Sequence, residues 1–125
     1  MTRFEIGHDY TRAAIHAAVG GSRRSCLPAR DGVVRAACLL ATLNPQAPHV
    51  MLCGTGPQNG AAGALLAQQA VPVPIFIKQA VNRWRYAGSF VVTASFDAGP
   101  RFERHLAASM RTRDSVSRIV LLAPA

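Results

Sequence analysis

The hydrophobic pattern along the chain predicts about six short strands, with two or three helices between them. The clearest strand carries Trp84, Tyr86 and Phe90 at alternate positions, and Arg83 and Arg85 occupy positions of the opposite parity. Because successive side chains of a strand point to opposite faces, the aromatic residues are predicted to face inward and the two arginines outward. The three aromatic residues should therefore share one buried face of a central strand.

The remaining elements are predicted from shorter apolar runs and from the residues that end them. Thr11 has the side chain of a helix N-cap, and Gly20 and Gly21 end the helix that follows it. Pro72 and Pro74, near the start of one strand, favour an edge position in the sheet. Predicted strands occupy residues 3–6, 33–43, 49–53, 73–78, 83–94 and 119–122, and two further helices occupy residues 61–70 and 101–110.

The order of these elements sets the fold class. Strands and helices do not alternate regularly enough for a Rossmann sheet. An α+β fold is predicted instead, with a curved mixed sheet or small open barrel and two or three flanking helices. A length of 125 residues suits one domain, so residues 1–125 are predicted to form a single domain.

Charge narrows the class of partner. The chain has 14 basic and 6 acidic residues, a formal net charge of +8, and every basic residue except Lys78 is arginine. This excess indicates a polyanionic partner, foremost nucleic acid. No apolar run reaches the roughly 18 residues of a membrane span, and polar residues interrupt the N-terminus where a signal peptide would be apolar. A cytoplasmic protein without a membrane partner is therefore expected.

Residue types that carry chemistry are sparse. Cys26, Cys38 and Cys53 are odd in number and widely spaced, which indicates reduced thiols rather than a disulfide framework. The sequence has no C-x-x-C or H-x-x-x-H pair, and its carboxylates form no nuclease-like cluster. Neither a catalytic constellation nor a metal site nor a cofactor is predicted.

Three segments, in order, resemble a known family. The first contains Glu5-Ile6-Gly7, Tyr10-Thr11-Arg12, Ile15-His16 and Gly20-Gly21; the second is Val50-Met51-Leu52-Cys53-Gly54-Thr55-Gly56; the third is Arg85-Tyr86-Ala87-Gly88-Ser89-Phe90. Together they span most of residues 4–96 and resemble the SRA-like, or YDG, domains of McrA-type HNH restriction endonucleases. Ala87 stands where the YDG motif has Asp.

The resemblance implies a PUA/SRA-like fold and a reader of modified DNA. Members of the family flip a modified base, usually 5-methylcytosine, into a concave pocket and have no catalytic activity of their own. They are often fused to a nuclease, so a separate nuclease acting in trans is an expected partner. Two alternatives remain open: an RNA-binding PUA-like module, and a small nucleotide-binding enzyme or accessory subunit.

Arginines supply the candidate contacts to the nucleic-acid backbone, because a guanidinium can bind two phosphate oxygens at once. The candidates are Arg23, Arg24, Arg30, Arg83 and Arg85. The first three belong to an irregular stretch, residues 22–32, that could equally be a solvated loop. The last two could instead pair with Glu103 or Asp97. A third basic stretch contains Arg101, Arg104, Arg111 and Arg113. It is interpreted first as a solvated helix face, with contact to nucleic acid as the alternative.

A base pocket is predicted between the 22–32 and 44–56 loops, with the aromatic strand as its floor. The candidates are Ser25, Leu27, Asp31, Asn44, Gln46, Thr55, Trp84 and Tyr86. The amides of Asn44 and Gln46 suit a base edge, although Asn before Pro is equally a turn cap. Asp31 could accept an exocyclic amino proton or simply stabilise its loop. Trp84 and Tyr86 are suited to stacking on a base, or to the core.

Overall fold

A strongly curled sheet forms the frame of the molecule. The computed structural model describes residues 4–125 and has an α+β architecture, which confirms the predicted fold class. Its elements are β1 (Asp9–Tyr10), α1 (Arg12–Val19), β2 (Ala29–Arg30), β3 (Val33–Val34), β4 (Ala37–Leu39), β5 (Val50–Cys53), α2 (Pro57–Ala67), β6 (Val73–Ala80), β7 (Arg83–Phe96), α3 (Pro100–Ser109) and β8 (Arg118–Pro124). A short 3₁₀ helix, Arg113–Ser115, precedes β8.

The main sheet is mixed and has the strand order β4-β6-β7-β8-β5. Only β4 and β6 run parallel; the other neighbours, and β1 against the start of β7, are antiparallel. The sheet curls into half a barrel, and β2 and β3 form a separate small hairpin. Because β4 and β5 are the two free ends of the curled path, a seam is left between them.

A β-bulge in β7 changes which side chains share a face. Ile75 lies opposite Gly88 but Phe76 lies opposite Tyr86, so the register slips at this point. Gly88 has φ +125°, a conformation that side chains other than glycine rarely adopt. Trp84 and Tyr86 therefore pack in one hydrophobic cluster and Phe90 in another. The prediction of one common inward face for these three residues was wrong, because period-2 alternation does not survive a bulge.

The predicted edge position of the strand with the two prolines was also wrong. β6 lies between β4 and β7 in the sheet. Pro74 is tolerated there because β4 pairs with β6 only at positions 75–77, so the side of β6 facing β4 has no partner strand at Pro74. Pro74 does lack a hydrogen bond to a neighbouring strand on this side. The residues that follow it, 75–77, are paired on both sides.

Other predicted elements differ mainly at their ends. Thr11 caps α1 and Gly20 ends it, and the extents of β5, β7, α3 and β8 agree with the predictions to within about two residues. The apolar run 33–43 is divided into β3, β4 and a turn, and α2 begins at residue 57 rather than 61. Residues 4–6 form no strand, and residue 3 of that predicted strand lies outside the described residues.

The core consists of three clusters separated by the sheet and its helices. The largest fills the inside of the half barrel and includes Leu39, Met51 and Phe90. α1 covers a second cluster through Ile15, and α3 packs on β5 and β8 with Phe102 and Leu106. The helices thus cover the sheet and leave the seam between β4 and β5 as the place where a ligand could enter.

Candidate functional site

A cavity of about 350 Å³ lies at the seam between β4 and β5. This volume is at the small end of the range for small-molecule sites, which is roughly 300–1,000 Å³. Its walls are mostly apolar and include Leu39 from β4, Met51 from β5, Leu40 and Leu43 from the turn between them, and Leu27 from the preceding loop. The cavity, referred to below as the seam cavity, is thus small and mostly apolar.

Asn44 holds the turn after β4 against β5. Its side chain is only 6% exposed. Its Oδ1 accepts a hydrogen bond from the Leu52 N–H at 2.9 Å, and its Nδ2 donates to the Leu40 carbonyl at 3.3 Å. Asn44 therefore lines the seam cavity as predicted for a pocket residue, but its amide oxygen is already used in closing the seam.

Polar groups occur at the rim of the cavity, at the start of α2. The Asn59 Nδ2 donates to the Thr55 carbonyl at 3.2 Å, and among residues 4–125 no donor reaches the Asn59 Oδ1. Thr55, a predicted pocket residue, lines the cavity beside it. Sequence reasoning missed Asn59 because it began this helix too late. Pro57 directly after Gly56 was the available signal, since proline is favoured at the first position of a helix.

Arg111 also lines the cavity. The sequence placed it in a basic stretch interpreted first as a helix face, which was wrong for this residue because α3 ends at Ser109. Its Nη1 donates to the Leu43 carbonyl at 3.2 Å and its Nη2 to the Ser115 carbonyl at 3.0 Å. Within the described residues it forms no ion pair, so further guanidinium N–H groups are left for a ligand. No local pattern marks this residue, because Arg111 reaches the turn at Leu43 only through the packing of α3 on the sheet.

A groove of about 490 Å³ adjoins the seam cavity on the side of residues 22–32, referred to below as the basic loop. Ser25, Arg24 and Gln58 line it, and it shares Leu27 and Asn59 with the cavity. Ser25 is thus placed beside the cavity rather than inside it. The groove connects the predicted basic loop to the predicted pocket.

Two of the three arginines of the basic loop have no carboxylate partner among the described residues. Arg23 and Arg24 are exposed, and neither pairs with a carboxylate in the part of the chain that the structure describes. Arg30 contacts Asp31 at 4.0 Å, and Asp31 is also 3.8 Å from Arg35. Asp31 lies in the exposed turn between β2 and β3 and is not part of the cavity lining, so its observed contacts are those of a loop residue.

Arg12 fixes the basic loop in place. Its Nη2 donates to the Ser25 carbonyl at 2.7 Å, its Nε donates to the His16 Nε2 at 2.9 Å, and its guanidinium carbon lies 5.0 Å from the centre of the Trp84 ring. Burial lowers the pKa of His16, with a further contribution from the positive charge of Arg12. The neutral imidazole is therefore the form that accepts the hydrogen bond from Arg12.

Arg83 and Arg85 lie apart from the cavity and share one partner. They contact the Asp9 carboxylate at 2.7 and 2.9 Å, rather than Glu103 or Asp97. Hydrogen bonds from Arg85 and Arg83 lower the pKa of Asp9. One carboxylate between two exposed guanidinium groups leaves a net positive charge on this side of the sheet.

Three further pocket candidates also lie outside the cavity lining. Trp84 is buried, and its Nε1 has no hydrogen-bond partner among the described residues. Tyr86 is half-buried and packs against Phe4 and Phe76. The Gln46 carbonyl accepts backbone N–H bonds within its turn. The structure thus brings Leu27, Asn44 and Thr55 together and leaves the aromatic pair in the second hydrophobic cluster.

No helix in residues 4–125 combines the length and the apolar character needed to cross a membrane. Over the same residues, no group of three or more His, Cys, Asp or Glu side chains is arranged to hold a metal ion.

Comparison with family models, with curated proteins and with solved structures finds no match to this chain.

Proposed function

We propose that this protein binds duplex DNA and accepts one modified base, flipped out of the duplex, in the seam cavity. The observation that carries the proposal is the position of the cavity. It is a small apolar hollow at the open seam of a curled sheet, with unpaired arginines on two sides. A flipped base needs a neutral, shaped pocket, and the flanking strand needs positive charge next to it.

The distribution of charge supports a nucleic-acid partner. Arg24 lines the groove next to the cavity and Arg111 lines the cavity itself, so phosphates on both sides of an extruded nucleotide would meet a guanidinium. Each phosphate contact releases counterions, so binding should weaken as salt concentration rises. The net charge of +8 favours the same class of partner.

The chemistry of the lining favours a base held by shape. The described lining offers leucine, methionine and cysteine side chains, with polar groups from Asn59, Thr55 and Arg111 at the rim. It contains neither a carboxylate nor an aromatic ring. A neutral base with an added apolar group would gain contact area with these walls, whereas an unmodified base of the same kind would leave part of the cavity unfilled.

A panel of ligands tests the proposal. Duplexes of one sequence would carry methylcytosine, hydroxymethylcytosine, N6-methyladenine or no modification, and a structured RNA would be the fifth ligand, all at one fixed salt concentration. We expect one modified duplex to bind more tightly than the unmodified duplex and the RNA. Equal affinity for all five would contradict base recognition, and preferential binding of the RNA would favour the RNA-binding alternative.

Charge-removing variants test the assignment of the backbone contacts. Arg24→Gln and Arg111→Gln should weaken binding to every duplex, and each should lower the slope of log K against log salt by about 0.9 for each phosphate that the variant no longer neutralises. Arg113→Gln is the matched control, because Arg113 pairs with Glu103 at 3.0 Å and does not line the cavity. A control that weakened binding as much as the two test variants would show that only total charge matters.

A further inference from the structure

All three cysteines of the chain line the seam cavity. Cys26, Cys38 and Cys53 are far apart in sequence and come from the basic loop, β4 and β5. All three are free thiols; Cys26 is exposed, whereas the other two are buried. A cavity with one accessible thiol and two enclosed ones is a candidate site for thiol chemistry.

Cys26 and Cys38 are neighbours through the backbone as well. The Cys38 N–H donates to the Cys26 carbonyl at 2.7 Å, and the Arg35 N–H donates to the Pro28 carbonyl at 2.7 Å, so the two segments run antiparallel. This single hydrogen bond, with standard backbone dimensions, limits the separation of the two α-carbons to about 6.6 Å. Disulfides span α-carbon distances of roughly 4.4–6.8 Å, so this pair lies within reach of a bond.

The third thiol is a less favourable partner. Cys53 lies on β5, across the seam from β4, where Gly63 packs directly against it. Burial raises the pKa of all three thiols, to about 12 at Cys53 and about 11 at Cys38, so the choice of partner for Cys26 depends on geometry. A bond from Cys26 to Cys53 would also have to join the two sides of the open seam, whereas a bond to Cys38 joins segments that are already hydrogen-bonded.

We propose that Cys26 and Cys38 form a reversible disulfide on exposure to a peroxide. The exposed Cys26 thiolate attacks one peroxide oxygen; an S–O bond forms, the O–O bond breaks, and the leaving hydroxide takes up a proton to become water. Cys38 then gives up its proton, and its sulfur attacks the Cys26 sulfur; the S–S bond forms and the S–O bond breaks, releasing a second water. Two thiols and one peroxide give one disulfide and two waters, and a thiol reductant reverses the result.

The disulfide would tie the basic loop covalently to β4 at the edge of the seam cavity. The loop is at present held there by hydrogen bonds, including that from Arg12 to the Ser25 carbonyl. Oxidation would therefore fix one wall of the cavity. The formation of the bond does not depend on the proposed binding of DNA, so each proposal can fail without the other.

Thiol counting and peptide mapping test the proposal. After treatment with hydrogen peroxide, the denatured wild-type protein should show one free thiol instead of three, and a reductant should restore three. Trypsin releases Cys26 in residues 25–30 but leaves Cys38 and Cys53 together in residues 36–78. A Cys53→Ala variant removes this ambiguity, and it should still yield the cross-linked pair of peptides.

Each contrary outcome is distinct. Retention of three thiols, a bond from Cys26 to Cys53, or a disulfide between two chains would each overturn the proposal. Cys26→Ala is the principal negative control, because Cys26 is exposed and its replacement should leave the fold intact. This variant should retain both remaining thiols through the same treatment; loss of both would show that Cys38 pairs without Cys26.

Discussion

At the scale of single residues, the buried Asn44 and the half-buried Arg12 hold the segments around the seam in place. Asn44 joins the turn after β4 to β5, and Arg12 joins the basic loop to α1. In both cases a side chain satisfies a backbone group that no strand partner reaches. Such contacts are strong determinants of local structure because a buried, unpaired polar group is costly.

Removal of the Asn44 amide should lower the stability of the fold. Asn44→Ala leaves the buried Leu52 N–H without an acceptor, which costs about 1–3 kcal/mol in the free energy of unfolding. Chemical denaturation measures this difference. Asn59→Ala is the matched control, since Asn59 is exposed and should change stability little; equal stability of wild type and Asn44→Ala would disprove the role given to this amide.

His16 should make the stability of the basic loop depend on pH. Because burial lowers the pKa of His16 in the folded protein, the folded state binds fewer protons than the unfolded state near the ordinary histidine pKa of about 6.5. The stability contributed by neutral His16 is fully present above about pH 6.5, the pKa of histidine in the unfolded chain. It is lost as the pH falls from there through the lower pKa of His16 in the folded protein. Melting temperatures between pH 7.5 and 5 should fall more in wild type than in His16→Gln; parallel curves would refute this.

At the scale of elements, the bulge in β7 distributes the strand's side chains between two hydrophobic clusters. Gly88 makes this possible with φ +125°. An added β-carbon would lie 3.4 Å from Phe90 and 3.5 Å from Ile6, so conformation rather than space limits the substitution. The side chains of β7 thus change faces at the bulge, while β7 stays paired with β6 on both sides of it.

Gly88→Ala should destabilise the protein by about 1–3 kcal/mol through backbone strain. The control is Gly60→Ala in α2, where an added β-carbon meets nothing within 4 Å and alanine favours the helix. This second variant should be neutral or more stable in the same denaturation experiment. A Gly88→Ala protein as stable as Gly60→Ala would mean that the bulge does not require glycine.

The sequence predictions succeeded where a feature depends on residues close together in the chain, and failed where it depends on residues far apart. The Thr11 cap and the Gly20 end of α1 depend on neighbours within four residues, and both were predicted correctly. The bulge at Gly88 and the contact of Arg111 with Leu43 depend on residues far away in the chain. Local patterns could therefore indicate the elements and the fold class, but only part of the seam cavity.

At the scale of the whole molecule, the curl of the sheet leaves an opening, and arginines without a carboxylate partner lie next to that opening. The curl leaves one open seam, and the turns and loops that cover this seam carry unpaired arginines on both sides. Elsewhere in the described chain, Arg83, Arg85 and Arg113 are paired with carboxylates. Arg101 and Arg104 on α3 and Lys78 on β6 also have no carboxylate partner among the described residues. The proposed site is therefore distinguished by the position of Arg24 and Arg111 next to an apolar cavity.

The most direct measurement uses a duplex with 2-aminopurine next to the modified base, titrated with the protein. Flipping removes the modified base from the stack beside the fluorophore, so fluorescence should rise as binding saturates with the modified duplex, and much less with the unmodified one. Saturable binding of the modified duplex with no change in fluorescence would mean that the base stays in the helix, which would contradict entry of a base into the seam cavity.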